Sequence, residues 1–332
     1  MDSRIRALRD AAGLTQADLA GRAGVSRQLI GAVETGRHLP RVDAALAIAA
    51  ALGVEVTELF RDEFAPVDVL TGAPAVDGAL VRATRVGDRI VTAPVRVGRD
   101  GWDVADGTIE DGSLVAHTPI APGLAVMGCE PGLELLERML REAGSGALSV
   151  AGSSEAALRA LDAGRVHAAV VHGPAGSLAA RVPSVEVRRL TLASWRVGLA
   201  APPDARAGWW RDALTGASAV IQREPGAGVQ QTFEVARGGV DVPGPRADGH
   251  LDAARRSIIS GLPAVTIEPA ALAVGAIFHP LDVHAAQLWV ATEWMGLPVV
   301  TEAIDVVSGK RFQRRLTAVG GYDLAGCGTL VA

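Results

Sequence analysis

Apolar positions recur three and four apart through the first 60 residues of the chain and then cease to do so. Ile5 and Leu8 share one side of the segment Ser3 to Ala12, Leu19 and Ala20 one side of Gln16 to Arg22, and Ile30 and Val33 one side of the segment after Ser26. Leu46, Ala49 and Leu52 do the same from Arg41 to Leu52. This spacing predicts four amphipathic helices. Thr15 and Ser26 stand where N-caps belong, because a hydroxyl there satisfies a free backbone N–H. Gly24 sits at the sharp turn between the second and third helices, where a positive φ suits glycine. Gly53 ends the fourth helix, and Glu55 to Phe60 reads as a short fifth, closed by Leu59 and Phe60. Arg61 to Pro66 is charged and then broken by proline, so a linker is expected there.

From Val67 to Pro119 the pattern becomes alternating. ALVRATRVGDRIVTAPVRVG and GWDVADGTIEDGSLVAHTPI are short strand runs cut by VGD, GRDG, ADG and EDG turns. They predict a small β-rich connector in which Trp102 and His117 are packing residues. From Ala121 strand and helix patterns alternate. LAVMGCE, ALSVAGS and VHAAVVHG read as strands, with PGLELLERMLREAG and SEAALRALDAG as helices between them. SVEVRRLTLASWRVGLAAP reads as two consecutive extended segments, and AVIQREPGAGVQQTFEVARGG as strand, glycine-rich turn and helix. A helix (HLDAARRSIISG), a strand (PAVTIEP), a short helix (AALAVG), a strand (VHAAQLWVATE) and the last helices (TEAIDVVSGKRFQRRLTAV) complete the chain. Such alternation predicts an α/β domain with largely parallel sheets. Three domains follow: 1–62 helical, 63–119 linker and connector, 120–332 two-lobed. Lobe 1 takes about 120–195 plus 286–332 and lobe 2 about 196–285, with a hinged cleft between them.

Composition narrows the function. The 332 residues are 49% hydrophobic but only 4% aromatic, so the core is built from Ala, Val, Leu and Ile. Net charge is −5, and residues 1–62 carry eight arginines against eight acidic residues, so any basic patch there is local, with Arg22, Arg27, Arg37 and Arg41 clustered around the third helix. Two cysteines, Cys129 and Cys327, make no disulfide framework and fit a reducing cytoplasm. No signal peptide and no uninterrupted apolar span is present, so a cytoplasmic protein with no membrane partner is expected.

LTQADLA, AGVSRQLIGAVETGRHLP and AALAIAAALGVEVTELF together resemble the Xre/Cro-type helix-turn-helix regulators over about the first 60 residues. The resemblance implies a recognition helix entering the major groove as a dimer on an inverted-repeat operator. It points to Gln16, Ser26, Arg27, Gln28 and Arg37 as DNA contacts. Over residues 120–332, VMGCEPGLELL, SSEAALRALDAGRVHAAVVHG, REPGAGVQQTFE, GHLDAARRSIISGLPAVTIEPAAL and the terminal GGYDLAGCG resemble the type II periplasmic-binding-protein superfamily, molybdate-binding proteins among them. That implies a small-molecule or oxyanion effector in the cleft.

Three turns between a strand and a helix N-terminus suit such a ligand, since free N–H groups favour anions there. The first holds Cys129 and Glu130, the second Ser153 and Ser154, and the third Arg223, Gly226 and Gly228. Glu268 ends a strand, where its carboxylate would repel an anion, and Tyr322 approaches from the C-terminus. Val229 and Gln230 stand where relatives often carry arginine, which points to a neutral, zwitterionic or larger ligand. His172 ends a strand, as a cleft or a structural histidine. His279 and His284 are five apart around a proline, without a second ligand pair at zinc spacing, so no metal and no cofactor is expected. The sequence lacks G-x-S-x-G, a phosphate loop and a placed G-x-G-x-x-G, so no enzyme is expected. A ligand-responsive one-component transcription regulator is the leading reading. The alternatives are a DNA-binding protein whose large domain only oligomerises and a redox sensor built on Cys129, pairing with Cys327.

Overall fold

A computed structural model describes residues 4–35, 38, 40–56, 59, 65–96, 103–120, 122–174 and 176–331. Four helices open it: α1 (Arg4–Ala11), α2 (Gln16–Ala23), α3 (Arg27–Glu34) and α4 (Val42–Leu52). Local chemistry sets their ends. Thr15 and Asp18 form a reciprocal capping box on α2, Gly24 turns the chain at φ 65°, and the Ser26 hydroxyl accepts from the N–H of Leu29 on α3. Ile5, Leu19, Ile30, Ile48 and Leu59 meet in one buried cluster, each side chain worth roughly 1.5–3 kcal/mol. Leu46 departs from the expected inward stripe and is 53% exposed, because the buried side of α4 runs through Ala45, Ile48 and Ala49. The expected fifth helix and the linker fall largely outside the described residues, as do Gly36, Arg37 and Trp102.

The β-rich segment forms a five-stranded sheet from β1 (Val67–Asp68), β2 (Leu80–Val86), β3 (Arg89–Pro94), β4 (Gly107–Glu110) and β5 (Ser113–Ala116), in the order β1-β3-β2-β4-β5. It is more than a spacer. Val69, Val86, Val91 and Ala93 share a buried cluster with Ala125, Met127, Leu148, Ala169 and Val171 of the following sheet. Arg82, buried in β2, donates to Glu137 and to the carbonyl of Ser149 at 3.0 Å each. Burial pushes the Glu137 carboxyl up, but the Ser149 hydroxyl and then Arg82 and Arg96 pull it below the usual range.

The large sheet has the order β10-β9-β11-β8-β6-β7, with β12 beside β9. Its strands are β6 (Gly123–Gly128), β7 (Gly146–Ala151), β8 (Ala168–Pro174), β9 (Val187–Ala201), β10 (Ala264–Ile267), β11 (Ile277–Ala291) and β12 (Tyr322–Asp323). Only β7, β6 and β8 are parallel. They are linked by α5 (Gly132–Glu142) and α6 (Ser154–Asp162), and β6 is buried at every residue, as a strand covered on both faces must be. The expectation of largely parallel sheets fails at β9, β10 and β11, which pair antiparallel. The reason is topological: the strand leaving one lobe and the strand returning to it run in opposite directions. The two extended segments expected near residue 190 are one 15-residue strand, β9. Its residues before about 195 lie beside the part of β11 that pairs with β8, and its later residues beside β10. Two register shifts in β11, at Pro280/Asp282 and Ala286/Gln287, mark the crossing. A Cβ at Gly198 would stand 2.1 Å from the carbonyl oxygen of His279, so only glycine lets the crossing strands approach.

The second lobe is mostly helical around β10: α7 (Trp209–Thr215), α8 (Gly228–Ala236), α9 (His250–Ser260) and α10 (Glu268–Ala273). The strand expected before the REPGAG turn is reduced to single bridges at Ile221 and Gln222. Helices α11 (Pro298–Ser308) and α12 (Lys310–Val319) return to the first lobe, with α11 against α5. Among the described residues no helix is long and apolar enough to cross a membrane.

Candidate functional site

A cavity of about 170 Å³ opens where strand ends and helix starts from both lobes converge. Cys129, Glu130 and Pro131 line it from the end of β6, Gly152 from the end of β7, Arg223 and Glu224 from the loop before α8, and Asp248 to Asp252 from the start of α9. Arg96, just past β3, lines it too, and donates to Glu137 and the carbonyl of Ser149 at 2.7 Å each. The β-rich sheet therefore contributes directly to the cavity wall.

Arg223 is the hub. Its side chain is 1% exposed and its guanidinium donates to both Glu224 oxygens, Nε to Oε2 at 3.0 Å and Nη2 to Oε1 at 3.1 Å. Nη1 reaches Nδ1 of His250 at 2.9 Å, and Nη2 reaches the Cys129 sulfur at 3.5 Å. Arginine is donor-only, so His250 Nδ1 accepts and its proton sits on Nε2. That Nε2 is 3.1 Å from the Cys129 sulfur. Burial pushes the Cys129 thiol up and Arg223 pulls it partly back. Burial, then the Arg223 charge, holds His250 well below the usual histidine range.

Glu130 is 5% exposed. Its Oε1 accepts from the N–H of Gly132 at 2.7 Å and from the Tyr322 hydroxyl at 2.5 Å, while Oε2 has no partner among the described residues. Burial outweighs these two hydrogen bonds and raises its pKa to about 7. Behind the cavity a relay runs through α8, β11 and β8. Thr232 Oγ1 donates to the carbonyl of Gly228, so it accepts from His284 Nε2 at 3.1 Å. His284 Nδ1 then accepts from His172 Nδ1 at 3.2 Å, which leaves the lone pair of His172 on Nε2. Burial keeps both imidazoles neutral.

Of the residues expected at a ligand, Cys129, Glu130 and Arg223 meet on the cavity wall. Gly226, at φ 83°, faces Glu155, and Gly228 starts α8 opposite His172 and His284. Tyr322 lines a neighbouring cavity of about 270 Å³ and reaches the first only through Glu130. Other residues named from the sequence have partners away from this cavity. Ser153 caps α6, accepting from the N–H of Ala156 at 3.2 Å, and Ser154 bonds the backbone of His172, so neither lines the cavity. Glu268 pairs with Arg196, whose Nε lies 2.6 Å from Oε2, and it too is absent from the wall. Cys327 is packed in the core against the carbonyl of Val307, away from the cavity wall, and both cysteines are free. His279 stacks on Trp210, with ring centroids 4.0 Å apart, while His284 is buried in the relay. His250, Asp248 and Asp252 were not legible as site residues. The one signal for His250 was GHLD at a predicted helix start.

On the helical head, Ser26, Arg27 and Gln28 are exposed at the start of α3, with the Ser26 hydroxyl spent on its cap. Gln16 donates to Glu34 at 2.8 Å, and Glu34 is buried against Arg9 at 2.7 Å. Gln16 is thus oriented by an ion pair that periodicity did not reveal. Arg37 lies outside the described residues.

The helix-turn-helix domain family matches residues 3–60. An uncharacterized HTH-type transcriptional regulator of Methanocaldococcus jannaschii is 40% identical over 60 residues, 18% of this chain and 91% of that protein. A second, of Methanothermobacter thermautotrophicus, is 50% identical over 58 residues, 18% of this chain and 84% of that protein. Among solved structures, a tungstate ABC transporter protein of Geobacter sulfurreducens covers 59% of this chain and 97% of its own, at 13% identity and TM-score 0.43.

Proposed function

Because the chain belongs through its head to the HTH-type transcriptional regulators, we propose that it is a one-component regulator whose grip on DNA answers to a small molecule in the two-lobed domain. Residues 1–62 are the DNA-reading head, 63–119 the connector, and 120–332 the sensor, with lobes at about 120–195 plus 286–332 and 196–285. Arg27 and Gln28 read base edges of an inverted repeat, and a dimer spans its two half-sites. Val42 and Leu46, both exposed and one turn apart on α4, give the head an apolar stripe that a second copy would cover.

One observation carries the sensing half. Arg223, from the second lobe, is buried against Cys129 of the first across a cavity that both lobes line. A molecule filling that gap contacts both lobes and biases their closure. Glu224 already neutralises Arg223, Glu134 lies 3.9 Å from Arg96, and Asp248 and Asp252 line the same cavity. That charge balance does not favour a tetrahedral oxyanion; it suits a small neutral, zwitterionic or cationic effector. Arg96 ties cavity, connector and Glu137 together, so it offers a route from the effector to the head. The role is regulatory, not catalytic.

The test pairs footprinting with a thermal-shift screen of molybdate, tungstate, sulfate and the amino acids. The reading expects protection of an inverted repeat with half-sites a whole number of turns apart. It also expects one class of compound to stabilise the protein, by about 2.7 kcal/mol at 100 times its dissociation constant. Absence of any protected repeat would overturn the regulator.

A further inference from the structure

Among the described residues, Cys129, His172 and His250 form a group whose metal-donor atoms all lie within 4.8 Å of one another. They come from three separate elements, the end of β6, β8 and the first turn of α9, so no linear spacing announces them. We propose that this group is a binding site for a thiophilic transition-metal cation, Zn(II) or Cu(I), held by the Cys129 sulfur and one ring nitrogen each of His172 and His250. Its consequence for DNA rests on the cavity being the effector site; metal binding itself is read separately.

The donor set fits such an ion. One thiolate and two neutral imidazoles are soft or borderline ligands that hard cations avoid. With metal–sulfur and metal–nitrogen distances of about 2.3 and 2.0 Å, donors around a tetrahedral centre stand about 3.5 Å apart. The 3.1 Å between Cys129 and His250 needs only a small adjustment to reach that, and a wider pair, at most 4.8 Å, must close by up to about 1.3 Å. Metal-bound histidines characteristically donate their second ring N–H to an acceptor that fixes the tautomer. His172 has that arrangement: Nδ1 donates to His284, which is fixed in turn by Thr232, and the lone pair on Nε2 is left over. Two of the three donors, Cys129 and His250, also line the cavity, which gives an ion its way in and room for a further ligand.

Arg223 is the obstacle, and it makes the proposal specific. Its Nη1 donates to His250 Nδ1 and so holds the imidazole proton on Nε2, the nitrogen facing Cys129. Coordination needs the lone pair on Nε2. The proton then moves to Nδ1 by exchange with solvent, the Cys129 thiol releases its own proton to solvent, and two donors face each other at Nδ1. Arg223 must withdraw onto Glu224, which it already engages. The ion therefore displaces the residue that opens the second-lobe loop 223–228.

The test uses the full chain, reduced and stripped with chelator. It is titrated with Co(II) as optical probe, and with Zn(II) and Cu(I) against chromophoric competitors. The expected result is one ion per chain, a near-ultraviolet thiolate-to-Co(II) charge-transfer band, and displacement of Co(II) by the ion the site prefers. Cys129→Ser loses the band, and His172→Asn, with an unchanged melting curve, binds at least tenfold more weakly. Arg223→Met binds the cation as tightly as wild type or more tightly, whereas an anion site would lose affinity. A Co(II) complex without the band, Zn(II) and Cu(I) affinities equal in wild type and Cys129→Ser, or weaker metal binding in Arg223→Met would each overturn the proposal. If an organic compound still alters DNA binding in that case, the effector reading stands and only the metal site falls.

Discussion

Replacing Glu130 with glutamine separates the cost of a buried carboxylate from everything else in the cavity wall. Glu130 has an ordinary pKa of 4.5 and one of about 7 in the fold, raised by burial. The folded state therefore holds a proton that the unfolded chain gives up between those two values. A pKa raised by folding makes a contribution that is fully present below pH 4.5 and lost as pH rises through about 7. The difference of about 2.5 units corresponds to about 3 kcal/mol at 1.36 kcal/mol per unit. In Glu130→Gln the side-chain carbonyl can still accept from Gly132 and Tyr322, and the amide nitrogen takes the place of the unpartnered Oε2, so the variant resembles the protonated acid at every pH. The assay is the urea unfolding midpoint of the full chain from pH 4.5 to 8.5, read as wild type minus Glu130→Gln. The difference should move against the wild type by about 3 kcal/mol, most of it between pH 5 and 7.5. Parallel curves would refute the burial argument. A wild type that gains on the variant as pH rises would show that Glu130 is paired as an anion.

The buried His167 provides the opposite sign: burial lowers its pKa from 6.5 to about 4, so stability is lost as pH falls through that interval. Its ring resonances should titrate near 4 by NMR, and a midpoint near 6.5 would contradict the packing against Trp294 and the hydrogen bond to Ala125. Glu34→Ala removes the carboxylate that Arg9 engages through Nε, leaving it Asp10 and the carbonyl of Leu14 as partners, and should destabilise the head by about 1–3 kcal/mol while leaving the melting of residues 120–332 unchanged; a melting curve like that of wild type would show the ion pair to be dispensable. Arg27→Ala and Gln28→Ala should each cost about 1–3 kcal/mol in operator over random DNA, measured by competition binding, and an equal loss on both DNAs would make the contact one to phosphate only.

The head was legible because its signals are local. Thr15 with Asp18, Gly24 and Ser26 each act within four residues, and Ile30 and Val33 keep helical spacing. Leu46 misled because a stripe of alanines hides which side of α4 is buried. Strand β9 reads as two in the sequence because apolar and polar residues lose strict alternation where a strand passes from one lobe to the other. The sheet of residues 67–116 reads only as a connector because Val69, Val86 and Ala93 say nothing of the core they share with Met127. The cavity was partly legible. Cys129 and Arg223 stand in turns that read as strand ends, whereas His250 and Arg96 reach the site only through long-range folding. Ser153, Ser154 and Glu268 carried the right chemistry, but their partners lie in the fold: the N–H of Ala156, the backbone of His172 and Arg196.

The coupling between cavity and head is tested most directly by linkage. Operator affinity is measured by fluorescence anisotropy with and without the compound that most stabilises the protein to heat. The affinity for that compound is then measured by calorimetry with and without operator. The account predicts that both affinities change by the same factor, at least fivefold, as reciprocal coupling requires, and that Arg223→Ala abolishes both changes. A compound that fills the cavity while operator affinity stays constant would contradict it.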